Sequence, residues 1–84
     1  MSHVGPNVVG RRLDDRFVVV NLRTNRIYEL NRTASVLWEL LEAGTAPSEL
    51  ESEMLERFEV NPDVLRGEID SLMRLMTDAG LVAA

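Results

Sequence analysis

Residues 17–41 read FVVVNLRTNRIYELNRTASVLWELL, and this stretch constrains the fold more than any other part of the chain. FVVVNL (17–22) is rich in β-branched residues and reads as a strand. RTN (23–25) turns tightly, because Asn tolerates a positive φ. RIYEL (26–30) then returns antiparallel, and a helix starts at once. Asn31 or Thr33 caps that helix, Ala34, Leu37, Leu40 and Leu41 recur at i, i+3, i+6 and i+7, and Gly44 stops it. Upstream, VVGRRL (8–13) is a weaker strand candidate, joined to 17–22 by Asp14-Asp15 turn chemistry. The three strands form a meander with 17–22 in the middle. Strand 26–30 is therefore an edge, with one row of N–H and C=O groups unpaired.

Two further helices follow. Thr45 is placed to cap the second, Pro47 sits in its first turn, and Leu50, Met54, Leu55 and Phe58 form its apolar stripe. Asn61-Pro62 starts the third, a capping side chain followed by Pro at the first helical position. It is expected to run to about Ala79, with Leu65, Ile69, Leu72, Leu75, Met76 and Ala79 on one face and Gly80 as the stop. The pattern is α+β, a three-stranded antiparallel sheet followed by three helices, in a winged helix-turn-helix-like arrangement. Residues 1–84 read as one domain, with 1–7 flexible and LVAA trailing off at the end.

Composition removes several function classes. There is no cysteine, hence no disulfide, thiolate metal site or Cys nucleophile. The longest apolar runs, FVVV and SVLW, are too short to span a membrane, and MSHVGPNVVG lacks a signal-peptide pattern, so a cytoplasmic protein is expected. The only histidine, His3, lies in the expected tail; the five glycines give no phosphate-loop spacing. Acids at 49, 51, 53, 56 and 59 spread around a helix as a solvated face, and Ser35, Ser48, Ser52 and Ser71 have no base to activate them. No catalytic residue, metal or cofactor is implied, and the chain does not read as an enzyme.

Charge bears on nucleic acid. Residues 1–32 carry six Arg against Asp14, Asp15 and Glu29, for +3, whereas residues 33–84 carry three Arg against eleven acids, for −8. The third helix, the natural groove reader of a helix-turn-helix, holds Asp63, Arg66, Glu68, Asp70, Arg74 and Asp78, for −2. A phosphate backbone repels that surface, so a winged-helix DNA regulator is the weaker reading. Peptide binding remains. Strand 26–30 carries neither Pro nor Lys, and an open edge accepts an extended peptide as an added strand. The alternatives are that Arg26 and Glu29 blunt the edge, or that a homodimer pairs it.

The order VVVNLRTNRIYELNRTASVLWELLEAG, then T-x-P-x-E-L, then L-x-x-L-x-x-A-G-L-V resembles the PqqD-like family over residues 8–82. Its most distinctive piece is carried by Tyr28, Leu30, Asn31, Thr33, Ala34, Trp38, Leu40, Leu41 and Gly44. These are peptide-recognition domains of pathways that modify ribosomally made peptides. The resemblance implies a non-catalytic module that adds the leader of a precursor peptide as a fourth strand beside 26–30, against the third helix. Free-standing versions of this size resemble those of lasso peptide biosynthesis, which hand the precursor to a leader protease and a macrocyclase. The runner-up is a partner of a radical-SAM enzyme, as in cofactor PQQ synthesis. The expected binding residues are Arg26, Ile27, Tyr28, Glu29 and Leu30 on the strand. On the third helix they are Arg66, Ile69, Asp70, Met73, Arg74 and Thr77, where 66, 70, 73 and 77 form a stripe flanking the core. A monomer or weak dimer is expected, with no nucleic acid or membrane partner.

Overall fold

The computed structural model describes residues 3–83. Its central sheet joins β2 (Val8–Leu13), β3 (Arg16–Asn21) and β4 (Arg26–Glu29) in the order β2-β3-β4, all antiparallel. The first hairpin closes on Asp14, whose φ is 58°, and the second on Asn25, whose φ is 61°. Asn25 N–H donates to the Asn21 carbonyl at 2.8 Å, so this turn forms where the sequence expects it. The middle and third strands end within a residue of their expected bounds, 17–22 and 26–30.

Alternation along β3 decides which side meets the helices. Phe17, Val19 and Asn21 are buried, while Val18 and Val20 are only half-buried. Residues directly opposite in an antiparallel pair share a face. Tyr28 pairs with Val19 and Arg26 with Asn21, so these two lie on the helix side. Ile27, opposite Val20, lies on the outer face with Val9 and Leu13.

Helix α1 (Arg32–Glu42) starts at Asn31, whose side-chain oxygen accepts Ala34 N–H at 2.9 Å. It ends on Gly44 (φ 80°) in a Schellman motif: Gly44 N–H donates to Leu41 O and Thr45 N–H to Leu40 O. That second bond commits the Thr45 backbone to the end of α1. Helix α2 (Pro47–Leu55) therefore starts one residue later than expected, from Ala46, without a side-chain cap. It stops before Phe58, which still packs on the core. Helix α3 (Pro62–Asp78) is capped by Asn61, which accepts Asp63 N–H at 2.8 Å. It ends on Gly80 (φ 73°) with the same pair of bonds, to Thr77 O and Met76 O. Here the residue after the glycine, Leu81, turns back and is buried with Met76.

Two expectations fail at the ends of the chain. The first seven residues are not a frayed tail throughout, because His3–Val4 forms β1, which pairs antiparallel with β5 (Val82–Ala83). Gly5 N–H continues the ladder to Leu81 O at 2.9 Å. The final residues do not trail off either: Leu81 and Val82 join the core. The expectations for residues 1, 2 and 84 lie outside the described residues. Among the described residues no helix is long and apolar enough to cross a membrane. The core itself centres on Trp38 and Leu37, with Val19, Met54, Leu65 and Leu81 closing around them.

Candidate functional site

The last strand of the sheet presents an open edge. Leu30 N–H donates to Phe17 O at 2.9 Å, and hydrogen-bonded pairs alternate along an antiparallel ladder. Leu30, Tyr28 and Arg26 therefore turn their backbone groups toward β3. Ile27 and Glu29 turn theirs outward, and among the described residues no strand pairs with that side. Ser35 fixes the start of this arrangement: its hydroxyl accepts Phe17 N–H at 2.9 Å and donates to Leu30 O at 3.2 Å.

Beside the edge runs a groove of about 650 Å³, bounded by residues 26–31 on one side and by Leu72, Leu75, Met76, Asp78 and Ala79 of α3 on the other. Ala34 and Leu81 complete its floor. Asn21 sets the course of the helix, donating from its side-chain amide to Ala79 O at 3.0 Å while pairing with Arg26. The C-terminal end of α3 thus lies at the start of β4, and the helix runs antiparallel to the strand. A second stretch of about 610 Å³ continues past the end of β4, between Asn31 and Thr33 and the residues Val64, Gly67, Glu68, Ser71 and Leu72.

Of the eleven residues expected at the site, Arg26, Ile27, Tyr28, Glu29 and Leu30 line this groove and the six on α3 do not. Ile69 is core. Met73 is half-buried and packs on the core from the other side. Arg66 joins α3 to α2 through two hydrogen bonds to Glu51, at 3.1 and 3.3 Å, and reaches Asp63 at 3.4 Å. Those bonds, and then the charge of Glu51, hold its guanidinium above the usual arginine range. A pKa raised in the fold matters only as pH climbs past that range, so this link is indifferent to pH near neutrality. Thr77 donates its hydroxyl to Met73 O at 2.7 Å, and Asp70 and Arg74 face solvent.

The reason is rotational. At about 100° per residue, the groove-lining residues and the expected stripe each lie about 100° from the core stripe, on opposite sides of it. Only one flank of α3 can face β4. Leu75, expected in the core, is 64% exposed on the groove flank, and Val64 is 57% exposed there too. Gly67, Glu68, Ser71 and Asp78 were not anticipated at the site. The available signal was apolar residues just off the core line, on the flank away from Met73. The groove is lined mostly by apolar residues, with Arg26 and Asp78 at one end, Glu29 along β4 and Glu68 at the other end.

Fold and groove together define a class: a small winged-helix-like α+β domain whose edge strand and last helix enclose an open channel. The chain belongs to the PqqD family, since the family of coenzyme PQQ synthesis protein D matches residues 16–82. Among solved structures, TbiB1 in complex with the TbiA(beta) leader peptide is similar, with TM-score 0.93 and 23% identity over 98% of this chain and 95% of that one. A lasso peptide synthetase B1 complexed with the leader peptide matches with TM-score 0.86 and 19% identity, over 99% and 98% of the two chains. At these identities the likeness establishes the fold, which is the three-stranded sheet and three helices read from the sequence. No curated protein is significantly similar in sequence.

Proposed function

We propose that this protein is a non-catalytic module that binds the leader segment of a ribosomally made precursor peptide as a fourth strand on β4, against α3. The observation that carries the reading is the outward-facing backbone of Ile27 and Glu29 beside an apolar groove. Edge pairing supplies sequence-independent backbone bonds, and alternate side chains of the added strand reach the groove for selectivity. Membership of the PqqD family supports a role in peptide modification. The leader peptides in the two similar structures support leader binding, and the lasso peptide synthetase B1 among them supports a lasso peptide pathway as its setting. In that setting the module delivers its precursor to a leader protease and a macrocyclase; the alternative is that it hands a peptide to a radical-SAM enzyme in a pathway like the coenzyme PQQ synthesis that the family description names.

The test is a fluorescence-polarisation titration with the labelled synthetic leader of any precursor peptide encoded beside this protein. Saturable binding in the nanomolar to micromolar range, about 8–12 kcal/mol, is expected without any enzyme present. No binding at tens of micromolar sinks the proposal.

A further inference from the structure

Gly67 lies well inside α3, where glycine weakens a helix relative to alanine through its extra freedom in the unfolded chain. The fold gives no reason for it. Its backbone is not among those with positive φ, and a Cβ built on it meets nothing within 4 Å. Gly10 shows the contrast, since a Cβ there falls 2.6 Å from Trp38 Nε1. Gly67 instead lines the second stretch of the groove, which continues past the end of β4. A larger residue at 67 would stand in that space.

We propose that Gly67 keeps open a specificity pocket for one long basic side chain of the bound peptide. This rests on the peptide-binding reading and names the residue type it selects. Val64 and Leu72 offer apolar walls for an aliphatic stem, which long cationic side chains bury readily. Glu68 is the one charged residue lining this stretch, and among the described residues it forms no ion pair. A cation seated above Gly67 meets that carboxylate, and an anion is repelled by it.

The experiment pans a random 12-residue phage-displayed peptide library on the full chain, on Glu68→Lys and on Gly67→Leu. With the native protein, Arg or Lys is expected to be enriched at one fixed position relative to the apolar positions. That enrichment disappears on Glu68→Lys. Gly67→Leu, whose Cβ meets nothing within 4 Å in the free protein, weakens the best native-selected peptide by about tenfold or more. Gly67→Ala in the free protein raises Tm by roughly 2–6 °C, because only the helix feels it. The pocket is refuted by unchanged basic enrichment on Glu68→Lys, by undiminished binding to Gly67→Leu, or by a lowered Tm of Gly67→Ala. Peptides selected without any basic preference overturn the pocket and leave the peptide reading standing. A leader that fails to bind the native chain in the polarisation titration overturns both.

Discussion

At the scale of single residues, the core is organised by contacts between positions far apart in the chain. Trp38 is fully buried on α1, and its ring lies against the backbone of Gly10 in the first strand of the sheet. Among the described residues its buried Nε1–H has no hydrogen-bond partner, and close packing surrounds the indole. Gly10→Ala places a methyl 2.6 Å from that nitrogen. Two effects compete: alanine stiffens the unfolded chain, worth about 0.4–1 kcal/mol, and overpacking costs about 1–3 kcal/mol. The ring is enclosed and cannot retreat, so the clash wins. Gly10→Ala is expected to lower stability by about 1–2 kcal/mol, read as a lower urea midpoint with an unchanged slope. An unchanged or raised midpoint would show that the sheet shifts to admit the methyl. The capping residues Asn31, Asn61, Gly44 and Gly80 were legible in the sequence because each acts within a few positions of itself. The need for Gly10 was not, since nothing near it in sequence announces a Trp 28 positions away.

At the scale of elements, the outcome turned on α3. Its periodicity correctly identified Leu65, Ile69 and Met76 as core, because burial of one stripe is a property of the helix itself. Which flank of that stripe faces the sheet edge is a property of how the chain returns, and the helix's own periodicity is blind to it. Met73 and Leu75 show the consequence, lying on opposite flanks two residues apart. Leu75→Asp is expected to leave stability within about 0.5 kcal/mol, because the side chain is exposed. It places a charge in the apolar channel and should weaken leader binding about tenfold. Met73→Asp has the reverse signature, a clear loss of stability with near-native affinity in the fraction that remains folded, because Met73 packs on the core. Urea denaturation and polarisation titration of both variants separate the two. Equal loss of affinity in both would mean that the peptide does not lie on the Leu75 flank.

At the scale of the molecule, residues 3–4 pair with residues 82–83, while β4 keeps an unpaired side next to the groove. The strands of the β1–β5 pair, two residues each, have no periodicity to betray them. Only their proximity in the fold, fixed by the Gly80 turn and the burial of Leu81, makes them strands. The edge at β4 is left unpaired although it needs the same kind of partner. We expect a second copy of the chain to be a poor one. The four-residue strand offers two N–H and two C=O groups, from Ile27 and Glu29, far short of the contact a stable homodimer requires. In the proposed binding mode an extended peptide gains more from the same edge, because its alternate side chains reach the groove as well. The edge can be occupied only once, so peptide and dimer exclude each other there. Sedimentation of the protein with a saturating labelled leader is therefore expected to give one chain per peptide, with any self-association of the free protein abolished as the peptide is added. A complex of two chains per peptide would mean that β4 is shared between copies, and it would remove the single-slot reading of this edge.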